Sequence, residues 1–174
     1  MVTDEQKKWI DHLSTNPIAI VPFNPNFPSL FEKQKKELLK ILGNDVEIVH
    51  RGASNMGISG KGELDIYIPV PVQRFDEILE KLVHAYGEPR SLYSYERARF
   101  NSKVDGVHAE IFLINEEAIG WKQGTVFETY LKTHPEDLKI YEQLKASLHG
   151  STTKEYYRKK TEFFNSILEK AGYK

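Results

Sequence analysis

Glu63 and Asp65 are the residues of this chain whose type and spacing point most directly to chemistry. They sit two apart, with Leu64, Ile66 and Ile68 alternating against them. In an extended strand, residues i and i+2 leave the same face. Both carboxylates therefore project from one side while the aliphatic residues enter a core on the other. Two acids on one face repel each other unless a cation lies between them. Mg²⁺ suits such a place, because it takes a few carboxylate oxygens together with substrate phosphates. The alternation alone equally describes a strand with acids on its wet face. A third acid comes from residues 107–114, Val-His-Ala-Glu-Ile-Phe-Leu-Ile, a run of branched and aromatic residues that reads as a strand. Val107, Ala109, Ile111 and Leu113 take one face, and His108, Glu110 and Phe112 the other. With this strand paired beside 63–68, Glu110 completes a three-carboxylate catalytic site for Mg²⁺ or Mn²⁺ with Glu63 and Asp65. His108 also reads as a structural histidine and Glu110 as a solvent-facing acid, although an acid in an apolar strand is costly to bury unpaired.

The stretch before Glu63 is rich in small residues. Gly52, Gly57, Gly60 and Gly62 fall within eleven positions, with Ser54 and Ser59 among them. Glycine permits positive φ and close backbone approach, which is how successive N–H groups form a nest for a phosphate. This is no Walker A loop, since Lys61 is followed by Gly62 rather than Ser or Thr. Gly52, Ser54 and Lys61 are its phosphate-binding candidates, and an ordinary loop is the alternative. Negative phosphates also need cations. Arg97 and Arg99 share a strand face with Tyr93 and Tyr95 in this reading and are candidates. Lys145 and Lys160 are candidates from the C-terminal half, against the alternative of solvated helix faces. His50 either orients the turn or contacts phosphate.

These groups must be positioned by a fold, and the chain is long enough to build one. Its 174 residues fit one domain, 1–174, with a full core. A net charge of −1 supplies no global positive field, so neither nucleic acid nor a membrane is expected as a partner. The absence of cysteine excludes disulfides, thiolate zinc sites and a cysteine nucleophile, and agrees with a reducing cytoplasm. No apolar run is long enough to span a bilayer.

Periodicity places the elements. Thr3-Asp4 caps a short helix to about Leu13, and Ile18–Val21 is extended. Pro22, Pro25 and Pro28 break the chain before an amphipathic helix from about Ser29 to Leu42, stopped by Gly43. Strands follow at Glu47–His50 and 63–69, the latter ended by Pro69 and Pro71. Phe75–Tyr86 reads as a helix, 91–100 and 106–114 as antiparallel strands joined around Asp105-Gly106, and 116–172 as mostly helical. Tyr156, Phe163, Phe164, Ile167 and Leu168 form a core stripe on the last helix. The fold class is α+β: a small mixed sheet with helices packed on it and a helical C-terminal half.

Several motifs together resemble the GrpB family, whose members share the nucleotidyltransferase fold. Ile20-Val-Pro-Phe-Asn-Pro-Asn-Phe-Pro followed by Phe31-Glu32 is similar to the family's opening. His50-x-Gly52 through Lys61 and Leu64-Asp65-Ile66 resembles its central motif. Phe127-Glu-Thr-Tyr-Leu-Lys-Thr-His-Pro-Glu, Tyr141-Glu-Gln-Leu-Lys145 and Tyr156-x-x-x-Lys160 resemble its C-terminal half. The chain departs from that pattern at Ala53-Ser54, where the family has Ser-Thr, at Glu63, where it is commonly aliphatic, and at Glu110, where a second histidine is common. The resemblance implies a nucleotidyltransferase-like fold and metal-dependent transfer of a nucleotidyl group from a nucleoside triphosphate to a small-molecule acceptor. A non-catalytic module that binds a nucleotide or phosphate ligand is the alternative.

Overall fold

The structure is a computed structural model that describes residues 1–173. Its sheet is built from β1 (Val49–Arg51), β2 (Leu64–Val70), β3 (Ser91–Tyr93), β4 (Arg97–Val104) and β5 (Val107–Asn115), in the order β1-β2-β5-β4-β3. β2 and β5 run parallel, and the other neighbours are antiparallel. These strands belong to a compact unit of residues 24–57 and 62–122. On one face Leu64, Ile66, Ile68, Ala98, Phe100, Ala109, Ile111 and Leu113 are fully buried. Helices α2 (Phe27–Leu42) and α4 (Phe75–Tyr86) cover this face with Leu38, Leu42, Phe75, Ile78 and Leu82. Each such aliphatic or aromatic side chain contributes ~1.5–3 kcal/mol of transfer free energy. That burial forces the opposite parity of every strand onto the other face.

The structure shifts several expected boundaries. α2 begins at Phe27 rather than Ser29, because Pro28 occupies its first turn, where a missing N–H loses no helical hydrogen bond. β1 runs Val49–Arg51 rather than Glu47–His50. The glycine-rich turn opens as a five-residue helix, α3 (Gly52–Met56), closed by Gly57 in the left-handed region. The expected strand 91–100 is two strands, β3 and β4. Tyr95 has φ +58° and turns the chain between them, with the Glu96 N–H donating to the Tyr93 carbonyl at 3.0 Å. Tyr95 therefore leaves the face it was expected to share with Arg97 and Arg99, and Tyr93 pairs across from Arg97 instead. The expected turn at Asp105-Gly106 joins β4 to β5, both residues having positive φ, as a tight hairpin requires.

A second compact unit comprises residues 1–23, 58–61 and Gln123 onward. It contains α1 (Asp4–Asp11), α6 (Pro135–Ser147), α7 (Thr153–Lys170) and most of α5 (Ile119–Thr133). Thr3 and Gln6 form a reciprocal capping box at α1, and Thr152 caps α7. The core here is aromatic. Phe127 meets Tyr141 edge-on at 5.4 Å between ring centres and lies 4.9 Å from Phe164, while Tyr141 stacks on Phe163 at 5.0 Å. Tyr156, Ile167 and Leu168 are buried, as the expected stripe of the last helix requires. Asp137 accepts from Lys170 Nζ at 2.6 Å and from the Tyr130 hydroxyl at 3.2 Å. Among the described residues, no helix is long and apolar enough to cross a membrane.

Candidate active site on the polar face of the sheet

Strand register decides which polar side chains meet. The parallel pairing sets Leu64 against Ala109 and Asp65 against Glu110. Glu63, one residue before β2, continues that line toward His108. Ligand atoms of Glu63, His108 and Glu110 all lie within 4.8 Å of one another, and all three residues are half-buried. The Glu110 side chain is 13% exposed and that of His108 39%. His108 Nε2 stands 3.9 Å from Glu110 Oε1, and Arg99 Nη1 approaches the same oxygen at 3.4 Å. On β4, Asn101 lies across from Glu110 and Lys103 across from His108. Glu63 and Glu110, expected together, thus do come together. His108 joins them, and Asp65 stands outside this 4.8 Å group.

Asp65 is held from the other side. Gly52, at φ +78°, passes so close that a Cβ added to it would lie 2.3 Å from Asp65 Oδ2. The position therefore needs glycine both for its backbone conformation and for the space that the carboxylate occupies. Arg51, next to it, pairs across from Asp65. Its guanidinium lies 4.5 Å over the Trp121 ring and 5.8 Å over Tyr67, and Tyr67 in turn stacks on Phe112 at 4.5 Å. Sequence reasoning alone misses Arg51, Tyr67 and Trp121. The spacing of Tyr67 two residues after Asp65 is the available signal for that residue. Ser54 is buried, and its Oγ is in hydrogen-bond contact with His50 Nε2 at 2.9 Å. His50 stacks on Phe31 of α2 at 4.8 Å. This histidine orients the turn, and the Ser54 hydroxyl is engaged with it.

Arg97 and Arg99 lie on the same sheet face as Glu110. Arg97 sits 5.1 Å over the Tyr93 ring. The Nε–H groups of both arginines are buried without a hydrogen-bond partner. A buried donor left unmade costs about 1–3 kcal/mol, and an anion would satisfy both. The lysine candidates belong to the helical unit. Lys145 is 2% exposed, donates to the Ser59 carbonyl and lies 4.7 Å from the Tyr141 ring centre. The Ser59 N–H donates to Glu142 at 2.9 Å, so α6 grips this segment twice. Burial pushes the Tyr141 phenol up to about 12. Lys61 and Lys160 lie 6.0 and 5.6 Å over the Tyr157 ring.

A mixed five-stranded sheet with helices on one face, acids on the other and a helical C-terminal region defines an α+β protein. The chain belongs to the GrpB family, described as GrpB protein, which matches residues 17–170. It is 27% identical over 157 residues to a UPF0157 protein of Vibrio cholerae serotype O1, covering 82% of this chain and 76% of the relative. The crystal structure of the conserved protein GrpB from Enterococcus faecalis is similar at a TM-score of 0.66 and 16% identity, over 87% of this chain and 96% of that one. Structural similarity at lower TM-scores extends to two further proteins. A cytoplasmic RNA terminal U-transferase aligns at a TM-score of 0.41 and 17% identity over 83% of this chain, which spans 47% of that enzyme's chain. The STING-associated CdnE c-di-GMP synthase from Capnocytophaga granulosa aligns at 0.43 and 14% identity, over 72% of this chain and 55% of that one.

Proposed function

We propose that this protein is a cytoplasmic, metal-dependent nucleotidyltransferase that moves a nucleotidyl group from a nucleoside triphosphate to a small hydroxyl- or phosphate-bearing acceptor. One observation carries the reading: three acids share one sheet face, two of them close enough for one cation and the third packed under a glycine turn. The donor set fits a divalent cation, and Glu63 and Glu110 would hold it. When bound, Mg²⁺ or Mn²⁺ neutralises charge on the transferred phosphoryl group. Arg97 and Arg99 bind phosphate oxygens through the donors that the protein leaves unsatisfied. Asp65, outside the Glu63–His108–Glu110 group, accepts the proton of an acceptor hydroxyl. The acceptor oxygen bonds to the α-phosphorus while the bond to the bridging β-phosphate oxygen breaks, and pyrophosphate leaves. Stacked Tyr67 and Phe112 limit water beside the acids.

The test is pyrophosphate release from each nucleoside triphosphate with Mg²⁺ or Mn²⁺ and a pool of small acceptors from cell extract. Asp65→Asn should lower release by about 10²–10⁴-fold with nucleotide affinity changed far less, the pattern of a lost general base. A second reading, a module that holds the nucleotide without transferring it, is favoured by Ala53, which lacks the hydroxyl that the family's serine offers. Ala53→Ser separates the two. Restoring a donor near a developing charge should raise release by up to about 10²-fold. Nucleotide binding by wild type and Ala53→Ser, with release from neither, leaves the binding module as the function.

A further inference from the structure

We infer that the polar sheet face selects a first-row transition ion of the Mn²⁺ type over Mg²⁺, with His108 as a direct ligand beside Glu63 and Glu110. The inference rests on the proposed function only in taking these carboxylates as a cation site. Its basis is the donor set. Two carboxylates and an imidazole converge within 4.8 Å, and the His108–Glu110 pair is already at 3.9 Å. Three ligands taken from one side of an ion, each about 2.1 Å from it, lie about 3 Å apart, so side-chain adjustments of up to about 2 Å close the group. Mg²⁺ is a hard ion that prefers oxygen and gives up water reluctantly, whereas imidazole suits the first-row transition ions. Three protein ligands from one side leave coordination positions open for a substrate.

The surroundings support ligation. Glu110, its side chain only 13% exposed, receives Arg99 at 3.4 Å, which orients its carboxylate as outer-shell partners of metal ligands do. The His108 side chain is 39% exposed, so an ion can reach it and its replacement leaves the core untouched. The position alternates correctly as well: His108 and Glu110 leave β5 on the same side, and Glu63 approaches from the parallel neighbour. A structural histidine held only by its contact with Glu110 makes a different prediction, because it needs no ion and its loss changes none.

The experiment is metal titration of the full chain with MnCl₂ and, separately, MgCl₂, by calorimetry and by Mn²⁺ electron paramagnetic resonance. Electron spin-echo modulation of the bound Mn²⁺ then reports directly coordinated nitrogen. Mn²⁺ should bind at least about tenfold more tightly than Mg²⁺ and show nitrogen modulation. His108→Gln should remove that modulation, weaken Mn²⁺ by about 10–100-fold and change Mg²⁺ little, with an unchanged thermal melt. Glu110→Gln should weaken both ions. Equal affinities for the two ions, or nitrogen modulation that survives in His108→Gln, overturns the inference while leaving Mg²⁺-dependent transfer intact. Mn²⁺ bound with the expected modulation, but without nucleotide binding or pyrophosphate release, instead sinks the transferase reading and leaves the ion site standing. No Mn²⁺ binding at all overturns both.

Discussion

Replacing Gly52 by alanine isolates the contact that holds Asp65, because Gly57 provides an internal control. Both glycines have positive φ, +78° and +72°, at opposite ends of the same short helix. An alanine held in that left-handed conformation costs roughly 1–2 kcal/mol at either position. At Gly57 nothing lies within 4 Å of the new methyl group, so strain is the whole effect. At Gly52 the methyl would lie 2.3 Å from Asp65 Oδ2, where ordinary contact begins at 3.4 Å, so the oxygen must retreat by about 1.1 Å. Turning the carboxylate about its Cβ–Cγ bond moves Oδ2 away but leaves Cγ at 3.2 Å, still tight. The added cost is about 1 kcal/mol or somewhat more, at the low end of the range for overpacking. Gly52→Ala should thus lose roughly 2–3 kcal/mol in urea unfolding followed by tryptophan fluorescence, against roughly 1–2 for Gly57→Ala. The larger difference should be in function, since only Gly52→Ala re-aims the carboxylate proposed to take the acceptor proton. Pyrophosphate release should fall by about 10²-fold or more in that variant and stay near wild type in Gly57→Ala. Equal losses of stability and activity in the two variants would refute the idea that the turn holds Asp65.

The remaining predictions concern the helical unit and pH. The Lys170 ammonium, bonded to Asp137, holds that carboxyl below the usual carboxylate range, with Tyr130 adding to the effect. Its stabilisation is therefore fully present above the unfolded value near 3.9 and is lost as pH falls through the lowered native value, so Asp137→Asn should flatten the acid side of a urea-midpoint profile. The Tyr141 phenol, raised by burial to about 12, binds its proton more tightly folded than unfolded. Stability should then hold below pH ~10 and fall by roughly 2–3 kcal/mol toward pH ~12, a loss that Tyr141→Phe should abolish. A phenolate absorbance change from Tyr141 near pH 10 would contradict this. Lys145→Met should destabilise by about 1–3 kcal/mol, because it leaves the Ser59 carbonyl without its buried donor.

Much of the fold was legible because apolar parity and helical spacing describe burial directly. Leu64, Ile66 and Ile68 are core because α2 and α4 cover their face of the sheet, and Ile78 and Leu82 lie on the face of α4 that packs there. What was not legible came from backbone geometry that composition does not encode. Tyr95 adopts positive φ without being glycine, asparagine or aspartate, so a continuous run of strand-like residues conceals a turn. Proline disrupts helix interiors, yet Pro28 sits in the first turn and starts one. The Gly52–Met56 helix is too short for any periodic pattern to announce it.

The site divides along the same line. Parity correctly assigns Glu63, Asp65, His108 and Glu110 to one face, but parity says nothing of position along the strand. That depends on stagger between β2 and β5, which the two sequences do not specify individually. The observed register sets Asp65 against Glu110 and brings Glu63 toward His108, so the converging donors are an acid from each strand plus the imidazole. Asp65 is then left to the other neighbour, the Gly52 turn. A slip of two residues would keep every side chain on its present face and every aliphatic residue in the core, yet it would dissolve this grouping. The chemistry of the face therefore rests on a register that core burial alone does not select. Contacts specific to this register, such as Tyr67 stacked on Phe112 and Arg99 on Glu110, are what distinguish it from that slipped alternative.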